Sequence, residues 1–216
     1  MHYKVGSALI KTENCAKPCK QASSWVLAWI RELPRTAIGL DFGCGKLRYT
    51  IPLARRLRTV FAVDSSHQIG RRQVINGRRT TVEAYAEKSL ANVQVCPIES
   101  KRWRRKFDVI LCINVLSTMP LLTVRRRVLR SLAQRLKSQG QLFICVQFRN
   151  SHFEGWRNNP RARKYKDGWL VENARGTSFY AIIPPRSLVK LCKKANLNVV
   201  KDGSRGESAF VIARGR

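Results

Sequence analysis

Short β-branched, apolar runs alternate with helical hydrophobic patterns along most of this chain, and that alternation constrains the fold more than any other feature. The runs Thr36–Phe42, Thr59–Val63 (ending at Asp64), Asn92–Cys96, Phe107–Ile113 and Gln141–Phe148 read as strands. Between them, residues 21–33, 49–58, 68–90 and 119–137 carry apolar residues at helical spacing, the second-last with a break at Asn76-Gly77. Strand-helix alternation of this kind specifies an α/β domain with a mostly parallel sheet, because each crossover needs a helix. After Pro184-Pro185 opens another helix, two further strands, Asn198–Lys201 and Ser208–Ala213, flank a turn-forming stretch and predict an antiparallel hairpin. At 216 residues the chain fits a single domain over residues 21–216, preceded by an extension at 1–20. Residues 149–178 interrupt the alternation with Gly, Pro, Asn, cations and aromatics in no sustained period. They read as a long functional loop inserted near the acceptor side.

The chemistry concentrates at the first strand-to-helix turn, Leu40-Asp41-Phe42-Gly43-Cys44-Gly45. Glycines there let a backbone approach a ligand closely, and the helix that follows offers free N–H groups. Twenty-one residues after Gly43, Asp64 closes the second strand, where a carboxylate can accept from both hydroxyls of a ribose. Acids are scarce, 13 in all, yet Asp41, Asp64, Glu99 and Asp108 stand at or near predicted strand ends. Asp108 opens a strand rather than ending one and reads as structural.

These segments resemble the class I S-adenosylmethionine-dependent methyltransferases. Leu40–Gly45 resembles their first motif, Val60–Ser66 the second, Lys106–Leu116 the fourth strand with its cofactor-side tip, and Leu136–Ile144 the helix-turn-strand that follows. The resemblance implies a Rossmann-like α/β fold: a mostly parallel seven-stranded sheet, a C-terminal antiparallel hairpin, and helices on both faces. It also implies S-adenosylmethionine as cofactor. By position, Asp41 and the backbone of Gly43, Cys44 and Gly45 would meet the methionine end, and Asp64 and Ser65 the ribose. Ile98 and Glu99 would lie at the adenine edge, and Asn114 beside the sulfonium, with Ser117 as its catalytic companion. Leu47 departs from the pattern where many members carry a third glycine, and Pro97 stands near where an adenine-binding acid is common. The segment Asn114-Val115-Leu116-Ser117 lacks the Pro-Pro-aromatic signature of amino-directed DNA methyltransferases and the Pro-Cys nucleophile of cytosine-carbon enzymes. It is nearest to the small-molecule and tRNA-wobble-modifying branch.

Charge bears on the acceptor. With 42 Lys+Arg against 13 Asp+Glu the chain is formally +29, which favours a polyanionic neighbour. The cations cluster at Arg102, Arg104 and Arg105, at Arg125 and Arg126 on the long helix, and at Arg157, Arg161, Arg163 and Lys164, interleaved with Trp156 and Tyr165. Cations for phosphates and aromatics for stacking suit single-stranded or looped nucleic acid, RNA before DNA. Three alternatives stay open at this point: a nucleic-acid-binding or docking module with little turnover, a small-molecule methyltransferase, and association with an acidic protein. Oligomeric state is not legible. No apolar run approaches the ~20 residues that cross a bilayer, so a membrane partner is not expected. Seven cysteines without framework spacing suit a reducing, cytoplasmic setting, and Cys15-x3-Cys19 finds no companion for a metal site. A lone His152 in the insertion carries no assignment.

Overall fold

The computed structural model describes residues 2–149 and 151–215, which leaves Asn150 of the expected insertion, and the side chains of Ser151 and His152, outside the described residues. The chain opens with a hairpin of β1 (His2–Val5) and β2 (Ala8–Lys11), where the sequence offered only an extension. Helix α1 (Ser24–Arg31) buries Val26 and Ile30, and β3 (Ile38–Phe42) follows with all five residues buried, as expected of an inner parallel strand. The amide of Ile38 at its start donates to Asp108 at 2.9 Å, so Asp108 is the structural acid its position implied. Then come α2 (Thr50–Arg56), β4 (Thr59–Asp64) and α3 (Ser66–Gly70).

The helical reading of residues 68–90 is corrected here. Between α3 and α4 (Val82–Ser89) lies a small hairpin of β5 (Gln73–Ile75) and β6 (Arg78–Thr80). Its two-residue turn is Asn76-Gly77, both at positive φ (45° and 82°), the backbone that a tight hairpin turn demands. Strands β7 (Val93–Pro97) and β8 (Phe107–Ile113) fall where they were expected. Helix α5 is shorter than its pattern, Leu122–Ala133, and β9 (Leu136–Gln147) begins at once, so the helix-turn-strand implied for Leu136–Ile144 is strand throughout.

Residues 149–178 are not a loop. A short helix α6 (Ser151–Gly155) leads to β10 (Ala162–Tyr165), β11 (Gly168–Asn173) and β12 (Gly176–Ala181), an antiparallel meander turning at Lys166-Asp167 with Lys166 at φ 49°. Through the parallel pair Thr177–Ile10 it joins the opening hairpin in a five-stranded sheet ordered β1-β2-β12-β11-β10. Helix α7 (Pro185–Lys193) and the hairpin β13 (Leu197–Arg205) and β14 (Ser208–Gly215) complete the chain.

The other large sheet has seven strands ordered β13-β14-β9-β8-β3-β4-β7. Strands β8, β3, β4 and β7 pair in parallel, whereas β14 runs antiparallel to both β9 and β13. Contacts divide the chain into two compact units, Ala16–Leu111 and Met1–Cys15 with Cys112–Arg216. The first holds the glycine turn and both strand-end acids; the second holds the five-stranded sheet and the basic segments beyond residue 111.

Candidate active site

In the unit of residues 16–111, the glycine turn is fixed from within. The N–H groups of Gly43 and Cys44 donate to the carbonyl of Val63 at 2.8 and 3.1 Å, and that of Gly45 donates to the Asp64 carboxylate at 2.9 Å. The amide of Leu47 closes back on the carbonyl of Cys44 at 2.9 Å. Four amides of the turn itself are therefore spent internally, which leaves the expectation of free N–H groups to the helix that follows. A loop built that way cannot cradle a pyrophosphate, which needs outward N–H groups. It still suits a ligand without phosphates whose cationic end faces acids.

Gly43 and Gly45 sit at φ 79° and 55°, and Leu47 adopts φ 61°. Leucine thus follows the left-handed path of the missing third glycine at a cost of about 1–2 kcal/mol. What offsets that cost is burial. Leu47 is inaccessible to solvent, packed with Cys44, Ile51, Ala62, Ile75, Val82 and Tyr85. The Cys44 side chain belongs to the same cluster, so it reaches a ligand through its backbone alone.

Asp41 is buried at 3% exposure and accepts from the Thr50 hydroxyl at 2.6 Å. Burial pushes its carboxyl up to about 6; the Thr50 bond and nearby Arg48 oppose the shift, and Asp64 adds to it. Asp64 is also raised, by burial first, against the two N–H groups it accepts from Gly45 and Ser65. Each of its oxygens takes a single N–H, leaving lone pairs for two ribose hydroxyls. Ser65 caps α3 through Gln68 N–H at 3.3 Å, so its hydroxyl is engaged by the helix. Ile98 N–H donates to the Asp64 carbonyl at 2.8 Å, and its own carbonyl accepts from the Trp103 indole at 3.1 Å. Glu99 is exposed and accepts from Ser66 at 3.2 Å, which brings it to the same strand ends as Asp64.

Sequence reasoning missed Gln68. It is fully buried, and its amide donates to the Gly45 carbonyl at 2.6 Å and to Gln73 at 3.1 Å. Its position four residues after the second-strand acid, within an apolar helical pattern, is the signal that could have found it. Thr50 was also missed, although nine residues separate it from the acid it serves.

In the other unit, Asn114 follows the last residue of β8 as a non-glycine residue at φ 58°, and its amide donates to the Cys145 carbonyl at 2.7 Å. Its Oδ1 is buried without a donor, an orphan that a ligand N–H would satisfy. Ser117 is buried and donates to the Asn114 carbonyl at 3.3 Å, so it braces that turn.

The cations fall into two groups. Arg102, Arg104 and Arg105 are exposed, the last with its guanidinium 5.5 Å from the Phe61 ring. Arg157, Arg161, Arg163 and Lys164 are exposed, while Arg126 is half-buried. Arg125 is a correction. It is 1% exposed, donates to the Met119 carbonyl at 2.8 Å and forms a two-pronged ion pair with Asp167, so no phosphate can reach it. Trp156 and Tyr165 are half-buried, packed 4.9 Å from Tyr180 and 6.2 Å from Phe179 between ring centres. Tyr165 also has the exposed Lys166 ammonium 5.3 Å from its ring centre. Phe148, Phe153 and Trp169, with Arg149, Arg157, Lys164, Glu154, Ile182 and Glu207, line a groove of about 750 Å³. Among the described residues no cluster of potential metal ligands occurs. Nor is any helix long and apolar enough to cross a membrane.

A Rossmann-like sheet with a C-terminal antiparallel hairpin, a glycine turn closed to phosphates, and one buried and one half-buried acid near the strand ends defines a class I methyltransferase. The chain belongs to the methyltransferase-domain family, whose model matches residues 17–202, and it is an S-adenosylmethionine-dependent methyltransferase by family and fold. It is 30% identical over 212 residues to the uncharacterized protein YmfD of Escherichia coli K12, a match covering 98% of this chain and 95% of that one. A solved S-adenosylmethionine-dependent methyltransferase from Clostridium acetobutylicum superposes with a TM-score of 0.62 at 14% identity, covering 94% of each chain. The Burkholderia thailandensis 1,6-didemethyltoxoflavin-N1-methyltransferase, solved with its substrate and S-adenosylhomocysteine, gives 0.62 at 18% identity, covering 89% of this chain and 77% of that one. At such identities the two structures speak to fold alone.

Proposed function

We propose that this methyltransferase acts on RNA in the cytoplasm, with the groove of Phe148, Phe153 and Trp169 receiving the acceptor. One observation carries the reading: cations rest on the aromatic faces of that groove, Arg149 at 4.7 Å from Phe148 and Lys164 at 5.1 Å from Trp169. Phosphates that draw these cations outward free the ring faces for bases. The groove and the strand tip are linked by β9. Cys145 holds the Asn114 amide, and three residues later Phe148 enters the groove, its own N–H donating to Glu207 carbonyl at 2.9 Å. Among the described residues no disulfide joins the seven cysteines, a pattern that suits a reducing compartment.

Bound S-adenosylmethionine supplies an activated methyl group on a sulfonium. Asp64 holds the ribose through its remaining lone pairs, with Glu99 and Ile98 at the adenine side. Asp41 sets negative charge beneath the glycine turn, toward the amino-acid end. Asn114 Oδ1 accepts from a ligand N–H and fixes the acceptor side. Transfer of this kind depends on in-line positioning more than on a base, so rigid holding is what these residues contribute.

A second reading rests on Glu154 and Glu207, which place two carboxylates in the same groove and suit a small amine acceptor. Transfer of labelled methyl into total RNA, total DNA and a metabolite extract, side by side, separates the two. RNA labelling that disappears in Asp64→Ala is the expected result. Labelling confined to the metabolite extract overturns the RNA assignment.

A further inference from the structure

We propose that the outer stripe of α5 is a second, non-catalytic anion site that takes the phosphodiester backbone of nucleic acid. The inference rests on the nucleic-acid reading above and deepens it, since this stripe is separate from the residues of the acceptor groove. Thr123, Arg126, Arg127, Arg130, Ser131 and Gln134 line a surface concavity of about 470 Å³. Their spacing of three, one, three, one and three residues puts them on one face of the helix. The opposite face carries the buried Arg125, Leu129 and Leu132, so the run of arginines is divided by the helix, one inward and three outward.

Every side chain in the concavity can donate a hydrogen bond, and none is a carboxylate. Like charges at i, i+3 and i, i+4 destabilise a helix, so this stripe opposes folding until an anion neutralises it. The first turn of α5 carries no acid to offset it. Two details point outward. The Nε of Arg126 is buried with no acceptor, a donor that an oxyanion would satisfy. Ser131 accepts from Arg135 Nη1 at 2.8 Å, and its carbonyl accepts from the same nitrogen at 2.6 Å. That leaves the Ser131 proton to donate outward while Arg135 is held still. Guanidinium forks match phosphate oxygens in pairs, and from Thr123 to Gln134 the stripe runs roughly 16 Å, longer than one phosphate needs.

The test is binding of a labelled single-stranded RNA of mixed sequence to the full chain, across a salt series, with Arg126→Gln/Arg127→Gln/Arg130→Gln against wild type. Removing three phosphate contacts lowers the log–log salt slope by about 2 and weakens binding about 100-fold at 0.1 M salt. The melting temperature stays level or rises, because repulsion is relieved. A groove variant, Arg157→Gln/Lys164→Gln, runs in parallel as the comparison. A folded triple variant with unchanged slope, or wild-type RNA binding abolished by millimolar inorganic phosphate, overturns the site. Methyl transfer is scored separately, so failure of RNA as the methyl acceptor is distinguishable from failure of α5 as a docking site.

Discussion

Asp41→Asn is the sharpest probe of the glycine turn, because it splits stability from binding. In the folded chain the Asp41 carboxyl is raised from 3.8 to about 6, chiefly by burial. A shift of that size corresponds to about 3 kcal/mol of preference for the neutral form. The folded pKa lies above the unfolded one, so the associated stability is fully present below about pH 4 and is lost as pH rises through about 6. Asparagine is neutral throughout. It keeps an oxygen for the Thr50 hydroxyl but adds amide N–H groups that cost about 1–3 kcal/mol if unsatisfied. That cost is the same at every pH and cancels when two pH values are compared. Urea unfolding of the cofactor-free chain at pH 4.5 and pH 8 therefore yields a variant-minus-wild-type difference that grows by about 2 kcal/mol toward pH 8, since about a third of the effect is already present at pH 4.5. At pH 8 the variant equals or exceeds wild type in stability, yet calorimetry finds weaker S-adenosylmethionine binding, since the charge facing the amino-acid end is gone. A difference independent of pH within about 0.5 kcal/mol would refute the claim that Asp41 is held at the expense of its charge.

Three further outcomes follow from the same geometry. Leu47→Gly removes left-handed strain but also a buried side chain, so denaturant unfolding should register a loss of about 1–3 kcal/mol; Leu47→Ala, which keeps the strain and loses the packing, should be the worse of the two. Gln68→Leu frees the Gly45 carbonyl from its 2.6 Å partner and should raise KM for S-adenosylmethionine about tenfold while kcat holds within a few-fold. Arg125→Met should destabilise the fold by about 2–4 kcal/mol in thermal unfolding, without changing the salt slope of nucleic-acid binding, whereas Arg130→Ala should do the reverse.

The parallel half of the large sheet was legible because its strands are short, continuously apolar and bounded; β8 matches its predicted limits at both ends. Asp64 was legible as a strand end for a similar reason, whereas the two backbone N–H groups that its oxygens accept there were not. The small β5–β6 hairpin escaped because three-residue strands are too short for a period of two to show against the helical pattern on either side. The five-stranded sheet escaped because its pairing of Thr177 with Ile10 is non-local, and no window of sequence contains both. Arg125 was misplaced by composition. Read as one of a basic run it looks solvated, but it stands four residues before Leu129 and seven before Leu132, on the buried stripe, and its spacing held the answer. The inward turn of the Gly43, Cys44 and Gly45 amides could not be read at all, because glycine spacing reports close approach without saying which way the donors face.

The pairing of Thr177 with Ile10 also sets an order of events during synthesis. At ribosomal speeds of about 5–20 residues per second, the opening hairpin emerges on the order of ten to thirty seconds before the strand it must join. Throughout that interval β2 has an open edge, and Ile10, fully buried in the finished sheet, has nothing to bury it. Strand edges left waiting in this way recruit neighbouring chains. Yield of soluble protein should therefore depend on translation rate and on growth temperature more steeply than the equilibrium stability of the completed fold would indicate.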